Sequence, residues 1–310
     1  MVVVAALCGL GGGLGAVALR ALIHGIQGAF FGPSHELLDV IRDIPWTWRL
    51  LAPAAGGLLV GPLVHFVARE AKGHGVPEVM EAIAVRGGAI RPRVVVVKAL
   101  ASAISIGSGG SVGREGPIVQ IGSALGSTIG QMLGVSSRQL RTLVGCGAAA
   151  GIAAAFNAPI AGALFSVEIL LGDFGVPQFS PIVISSVVAT VVSRHFLGNF
   201  PAFEVPAYEL VSPFELLPYM FAGVVAGGVA LAFISVLYRA EELFDGFRIP
   251  EYLKTPIGGL MVGMIGIGLP EVFGVGYGSI NAALTGQLPA TMLAVLLVAK
   301  ILATSITLAS

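Results

Sequence analysis

Apolar runs alternate with short polar turns along the whole chain, falling roughly at 2 to 24, 50 to 68, 94 to 107, 117 to 134, 140 to 156, 159 to 171, 181 to 197, 214 to 237, 255 to 269 and 290 to 308. A helix rises about 1.5 Å per residue, so a perpendicular crossing of a ~30 Å hydrocarbon layer needs about 20 residues. Several runs are shorter than that, which predicts tilted, partial or re-entrant helices beside full spans. Non-helical backbone at membrane depth survives only inside protein or against a wet cavity. The interrupted runs are therefore where a site is expected, and the predicted fold class is all-α and polytopic.

Composition fixes the setting. Only 11% of the 310 residues are charged and 55% are hydrophobic, against about 25% charged in an ordinary soluble domain. Mean hydropathy is +0.92. Apolar runs recur to the last residue, so one secretory signal cannot account for them, and a multi-pass protein of a cell membrane is expected. The 44 glycines are spread through these runs, where they let helices approach closely or interrupt them. Formal net charge is zero, with no basic arm or aromatic-basic interleaving of the kind that nucleic acid needs. Cys8 and Cys146 sit in apolar runs without a spaced framework and are expected as small buried side chains.

Charge placement suggests a topology. Arg69, Lys72, Arg86, Arg91, Arg93 and Lys98 gather in short loops, which the positive-inside tendency assigns to the cytoplasmic face. The stretch 198 to 213 carries Glu204, Glu209, Pro201, Pro206 and Pro213 but no Lys or Arg, and suits the opposite face. The polar connection from Tyr238 to Lys254 is expected to join two halves of one bundle. A single membrane domain of 1–310 is expected, with a first half at 1–200 and a second beginning at 213–310; no clean internal repeat is visible in the letters.

The candidate chemistry lies in three loops that each lead to a proline able to start a helix. Gly113-Arg114-Glu115-Gly116-Pro117 puts an ionisable pair into a membrane sequence, and a carboxylate in hydrocarbon is costly enough to make Glu115 a functional candidate. Free N–H groups at a helix start suit an anion, and a neighbouring carboxylate can occupy the same place, so Glu115 reads as a tethered competitor. The bland alternative is an Arg114–Glu115 ion pair at a membrane surface. In Gly73-His74-Gly75-Val76-Pro77-Glu78 the glycines expose N–H groups, Pro77 sets the helix start, and Glu78 and Glu81 complement its dipole. Asn157 reads as the N-cap of a helix beginning at Pro159, with Glu168 as the next buried ionisable group. Gly11 to Ala16 lacks the strand of a dinucleotide loop, and Gly107 to Gly110 lacks the Lys-Ser/Thr ending of a phosphate loop. No His/Cys cluster has metal spacing and no serine has a nucleophile-elbow pattern. No metal, cofactor or enzymatic activity is expected.

These residues, with Gln120-Ile121-Gly122-Ser123, Asn157-Ala158-Pro159-Ile160-Ala161-Gly162 and Phe165-Ser166-Val167-Glu168, resemble the CLC family of chloride channels and chloride/proton antiporters. Weaker similarity continues through Leu269-Pro270-Glu271-Val272 and Gly274-Val275-Gly276-Tyr277. The resemblance implies a homodimer in the bilayer, each subunit with its own anion pathway built from inverted halves of tilted helices. It implies that Glu115 gates and, in antiporters, carries the proton. It assigns Gly73, His74, Gly75, Val76 and Pro77, with Gly113, Arg114, Gly116 and Pro117, to the binding of chloride or a related small anion. It also places the helices at 159 to 171 and 181 to 197 in the dimer interface.

Three positions depart from the family pattern. His74 stands where many chloride-selective members have a serine, and an imidazole is bulkier and carries a pH-dependent charge. Ile169 aligns with the inner proton-transfer glutamate of many antiporters. The chain stops after Thr304-Ser305-Ile306-Thr307-Leu308-Ala309-Ser310, where the family continues with another glycine-rich loop, a Gly-x-Phe-x-Pro motif and a late tyrosine. A truncated second half, covering about the first two-thirds of a family core, is the expectation. The rival reading is a structural or regulatory membrane subunit, or a transporter remnant, that moves no ion.

Overall fold

The computed structural model describes residues 1–33, 37–172, 175–199, 201–203, 205–207 and 209–310; Glu204 lies outside them. The described residues form helices and connecting turns, with no strand among them. In chain order the helices are α1 (Val2–Phe31), α2 (Leu37–Ile41), α3 (Trp46–Val67), α4 (Val76–Val85), α5 (Arg93–Gly107), α6 (Glu115–Met132), α7 (Ser137–Phe156), α8 (Pro159–Phe165), α9 (Val176–Leu197), α10 (Leu216–Gly246), α11 (Glu251–Gly268), α12 (Tyr277–Leu284) and α13 (Ala290–Ala309). Six segments among the described residues are long and apolar enough to cross a membrane: Val2–Phe31, Trp46–Val67, Ser137–Phe156, Pro177–Leu197, Pro213–Gly246 and Ala290–Ala309. The protein is thus an all-α, multi-pass integral membrane protein. The shorter α5 and α8 are partial helices of the kind that the short apolar runs at 94 to 107 and 159 to 171 predict, and α4 and α12 are further short helices outside those runs.

One compact unit comprises residues 1–33, 59–108 and 113–202. Its centre is α7, buried along most of its length, and glycine explains how neighbours reach it. A Cβ on Gly147 would fall on the Gly122 carbonyl of α6, and one on Gly122 would fall on the Gly147 carbonyl, so the two backbones touch. Gly151 sits against the Ile118 carbonyl, Gly12 of α1 against the Ala150 methyl, and Gly9 and Gly13 against the Ser185 and Ala189 carbonyls of α9. Small residues at such crossings replace the hydrophobic drive that lipid cannot supply. Hydroxyls add hydrogen bonds across the same seams: Ser166 Oγ donates to Gly145 O, Ser185 Oγ to Cys146 O and Ser193 Oγ to Ala154 O, each at 2.8 Å. Cys8 and Cys146 are buried and unbridged in this core.

The other unit comprises residues 34–58, 109–112 and 203–310. Here Gly57, Gly259 and Gly263 bring α11 against the first turns of α3, facing the carbonyls of Thr255, Pro53 and Leu50. Arg42 Nη2 pairs with Glu271 Oε1 at 2.7 Å. The polar stretch from Tyr238 to Lys254 is the end of α10 and the turn into α11. It lies inside this unit and does not join two halves, because α10 and α11 pack within the same unit.

A repeat hidden in the letters is present in the elements. In the first unit a single 3-10 turn, Arg69–Ala71, leads through Gly73 (φ +88°) and Gly75 (φ +95°) into α4. In the second unit a 3-10 turn, Pro270–Val272, leads through Gly274 (φ +64°) and Gly276 (φ +91°) into α12. A lysine of the following long helix holds each loop. Lys98 Nζ donates to Ala71 O at 3.0 Å and to Gly73 O at 2.7 Å. Lys300 Nζ donates to Val272 O and Gly274 O, both at 2.9 Å. Glycine is required at the four positive-φ positions, and without side chains their similarity is backbone geometry more than sequence.

Candidate functional site

The Gly73–Pro77 loop is held from two sides. Its own helix supplies the first: Glu78 Oε2 accepts the Gly75 N–H at 2.8 Å, and the same carboxylate packs where Gly73 has no Cβ. A carboxylate there satisfies an orphan donor and suits the positive end of α4. Lys98 supplies the second, binding the carbonyls of Ala71 and Gly73 from a position only 3% exposed. Sequence position groups Lys98 with the basic loop residues, but it is buried inside α5. Its ammonium reaches backbone carbonyls instead of water, which is how an isolated charge is tolerated in an apolar helix. Gln120 of α6 adds a further tie, its Nε2 donating to Glu70 O at 3.0 Å.

The Gly113–Pro117 loop opens α6. The helix begins at Glu115 and not at the proline, so Pro117 is its third residue, where a missing N–H costs no intrahelical bond. The Glu115 side chain folds back over Gly113: a Cβ on that glycine would overlap Glu115 Oε2. The carboxylate therefore stays with the first turn of its own helix, where the N-terminal dipole favours negative charge. Arg114 immediately precedes the helix, with Nη2 at 3.5 Å from Ala155 O near the C-terminal end of α7.

The two loops meet backbone to backbone. A Cβ on Gly116 would fall on His74 O, and a Cβ on Gly75 would lie 2.6 Å from Gly116 O and 3.3 Å from Gln120 Cβ. Only glycine at both positions permits this approach. The starts of α4 and α6 are thus brought together within one unit, and Gly73, His74, Gly75, Val76, Pro77, Gly113, Arg114, Glu115, Gly116 and Pro117 form one neighbourhood. Two helix N-termini and two carboxylates, Glu78 and Glu115, converge there. Such an arrangement can offer backbone N–H groups to an anion when a carboxylate withdraws.

Two further expectations need correction. Asn157 does not cap α8; it ends α7 in the left-handed conformation at φ +57°, and Ala158 precedes α8. Its amide lies between Arg194, whose Nε donates to Asn157 Oδ1 at 2.6 Å, and Asn199, whose Oδ1 accepts from Asn157 Nδ2 at 3.1 Å. Asparagine reaches the left-handed region more readily than other non-glycine residues, so the signal was real but belonged to the preceding helix. Glu168 is exposed and not buried; it lies beside the exposed Ile169 in the π-helical turn Ser166–Leu171 that follows α8, whose buried positions are Ser166, Val167 and Leu170. Lys98 and Gln120 were the members of this neighbourhood that sequence reasoning missed. An isolated lysine five residues into an apolar helix was the available signal.

The acid–base network at the foot of the first loop lies outside the membrane spans. Glu70 Oε1 pairs with Arg91 Nη1 at 2.7 Å and with Arg93 Nη2 at 3.0 Å. Burial acts to raise the Glu70 carboxyl, but its own backbone amide, the Arg93 hydrogen bond and the charges of Arg93 and Arg91 outweigh it and hold the group below its ordinary value. No group of three or more His, Cys, Asp or Glu side chains is placed to share a metal ion among the described residues.

Comparison with known proteins gives a consistent result. Residues 56–310 match the family model described as voltage gated chloride channel. A putative chloride channel protein ClcB-like of Ralstonia nicotianae is 38% identical over 309 residues, covering 98% of this chain and 72% of that protein. The chloride channel protein CLC-e of Arabidopsis thaliana is 32% identical over 86% of this chain and 40% of its own length. The H(+)/Cl(-) exchange transporter ClcA of Salmonella agona is 31% identical over 97% and 65%. The chain thus spans less than two thirds of the last two relatives. Among solved structures, a slow cyanobacterial Cl-/H+ antiporter superposes with a TM-score of 0.83 at 23% identity, over 100% of this chain and 73% of that one. A CLC-type fluoride/proton antiporter follows at 0.79 and 22%, over 99% and 74%. At these identities the structures speak for the fold.

Proposed function

The chain belongs to the voltage-gated chloride channel, or CLC, family, and from that membership we propose that it moves chloride or a related small anion across a cell membrane, with Glu115 as the gate. The observation that carries the reading is the contact of Gly116 with His74 O, which sets the Glu115 helix start against the Gly73–Pro77 loop. Backbone N–H groups of both loops are the anion ligands in this reading, and His74, Val76, Pro77, Arg114 and Pro117 line or shape the place. The folded-back Glu115 carboxylate is the occluding state; protonation or rotation releases the helix N-terminus to the anion.

Several observations support the wider reading. The matched turn, Gly-x-Gly loop and lysine in each unit fit two related halves, the first near 1–200 and the second over 213–310. Ile160 and Val191, 76% and 62% exposed on α8 and α9, leave an apolar face that suits a homodimer interface. The relatives are named as channels and exchange transporters, which supports transport as the activity of this chain.

The test is chloride efflux from liposomes containing the chain, with proton movement recorded in parallel. Efflux that responds to pH, and that Glu115→Gln makes insensitive to pH, supports the gate. Coupled proton movement assigns the protein to the exchangers, and chloride efflux alone assigns it to the channels. Absence of any flux from folded protein overturns the transport reading in favour of a non-transporting subunit.

A further inference from the structure

Ser111 lies four residues before Glu115 and is fully buried. Its backbone N–H donates to Thr307 Oγ1 at 3.1 Å, and its Oγ lies 3.5 Å from Thr304 Oγ1. Thr307 sends its own hydroxyl proton back to Ala303 O at 2.8 Å, which leaves an oxygen lone pair aimed at the Ser111 amide. Both threonines belong to α13. Lys300, Thr304 and Thr307 stand at i, i+4 and i+7, one stripe of that helix. At the other end of the stripe Lys300 grips Val272 O and Gly274 O. One helix face is therefore anchored to the Gly274 loop and in turn holds residue 111.

The held segment has little order of its own. Gly109 adopts φ +104°, the sequence around it is Gly107-Ser108-Gly109-Gly110, and Val112 N–H closes a tight turn on Gly110 O at 3.1 Å. A glycine-rich strap gains its conformation from what it is tied to. Its next three residues are Val112, Gly113 and Arg114, after which the Glu115 helix begins.

We propose that Thr307, seconded by Thr304, is a positioning residue for the gate: its acceptor oxygen fixes the backbone from which the Glu115 turn starts. The proposal rests on the reading of Glu115 as the gate. Thr307 touches no anion in it; it acts by limiting the arrangements open to Gly113 and Glu115, so that the carboxylate returns to one place over Gly113.

Thr307→Val keeps the shape and removes the acceptor, and Thr307→Ser restores it. Two readouts are compared in liposome-reconstituted protein, hydrogen exchange of the peptide containing residues 109–115 and chloride efflux against pH. The expected result is at least tenfold faster exchange at the Ser111 amide in Thr307→Val, a shift of the pH midpoint of efflux by half a unit or more, and recovery of both in Thr307→Ser. Unchanged exchange overturns the proposal, since the amide is then not held. Faster exchange with an unchanged pH profile overturns it too, since the bond is then scaffolding only. Glu115→Gln separates the underlying reading. A profile unaltered by Glu115→Gln removes the gate and this proposal together, whereas a flattened Glu115→Gln profile beside a wild-type Thr307→Val profile removes the positioning role alone. Should Thr307→Val fail to fold, Thr304→Val, which loses only the hydroxyl contact, takes its place: faster exchange with a shifted midpoint supports the positioning role, and a wild-type value of either overturns it.

Discussion

The backbone of Gly116 lies so close to that of His74 that a single methyl on the glycine would occupy the position of the His74 carbonyl oxygen. Neither residue can yield easily, because Gly116 is the second residue of α6 and His74 stands between two glycines at positive φ. Gly116→Ala must therefore push the α4 and α6 starts apart. Overpacking of this kind costs about 1–3 kcal/mol, and each ~1.4 kcal/mol lost from a binding site is a tenfold loss of affinity. Gly116→Ala is expected to remain folded but to lose chloride affinity about tenfold or more, read by isothermal titration in detergent. Affinity equal to wild type would separate the two loops functionally.

Glu70 provides a pH prediction outside the spans. Its folded-state value lies below the unfolded one, because Arg93 and Arg91 hold the charged form against burial. The pair therefore contributes stability at neutral pH, and the contribution disappears as pH falls below the ordinary carboxyl value toward the depressed one. Exposed pairs contribute about 0–1 kcal/mol, screened by salt. Thermal unfolding of Glu70→Gln should match wild type at low pH and fall below it at neutral pH, with the gap narrowing in high salt. A gap that widened on acidification would contradict the sign.

Much of this was legible from residue types. Apolar run lengths locate the spans because the bilayer imposes a length, and the glycines of Gly73-His74-Gly75 and Gly113-Arg114-Glu115-Gly116 announce loops that backbone must approach closely. The partners of those loops were not legible. Nothing in the letters says that Gly116 meets His74 or that Ser111 reaches Thr307, since those contacts join positions far apart in the chain. Asn157 shows the limit of local signals: its left-handed turn lies between α7 and α8, and the residue alone fits either helix end. The repeat escaped detection because it is carried by positive φ values and one lysine per unit.

His74 should decide selectivity more than stability. Its carbonyl is fixed by the Gly116 contact and the loop by Glu78 and Lys98, so replacing the imidazole leaves the backbone in place. His74→Ser is expected to keep the unfolding temperature within a few degrees while changing the permeability ratios among chloride, bromide and nitrate by several-fold, read from efflux under bi-ionic conditions. Identical ratios would assign the imidazole to the scaffold.

Lys98 and Lys300 make the same bonds in different units, and their substitutions should dissociate stability from function. Each lysine satisfies two backbone carbonyls of its loop. Replacement by methionine keeps the stem and leaves those carbonyls unpaired, at about 1–3 kcal/mol for each buried group left unmade. Both Lys98→Met and Lys300→Met should therefore unfold at a lower temperature in detergent. Their functional consequences differ because the loops do. Lys98 holds Gly73, so Lys98→Met should weaken chloride binding about as Gly116→Ala does. Lys300 anchors the α13 stripe that carries Thr307, so Lys300→Met should keep chloride affinity and shift the pH midpoint of efflux in the direction of Thr307→Val. If both variants lose affinity equally and neither moves the midpoint, the two lysines serve only the stability of their loops.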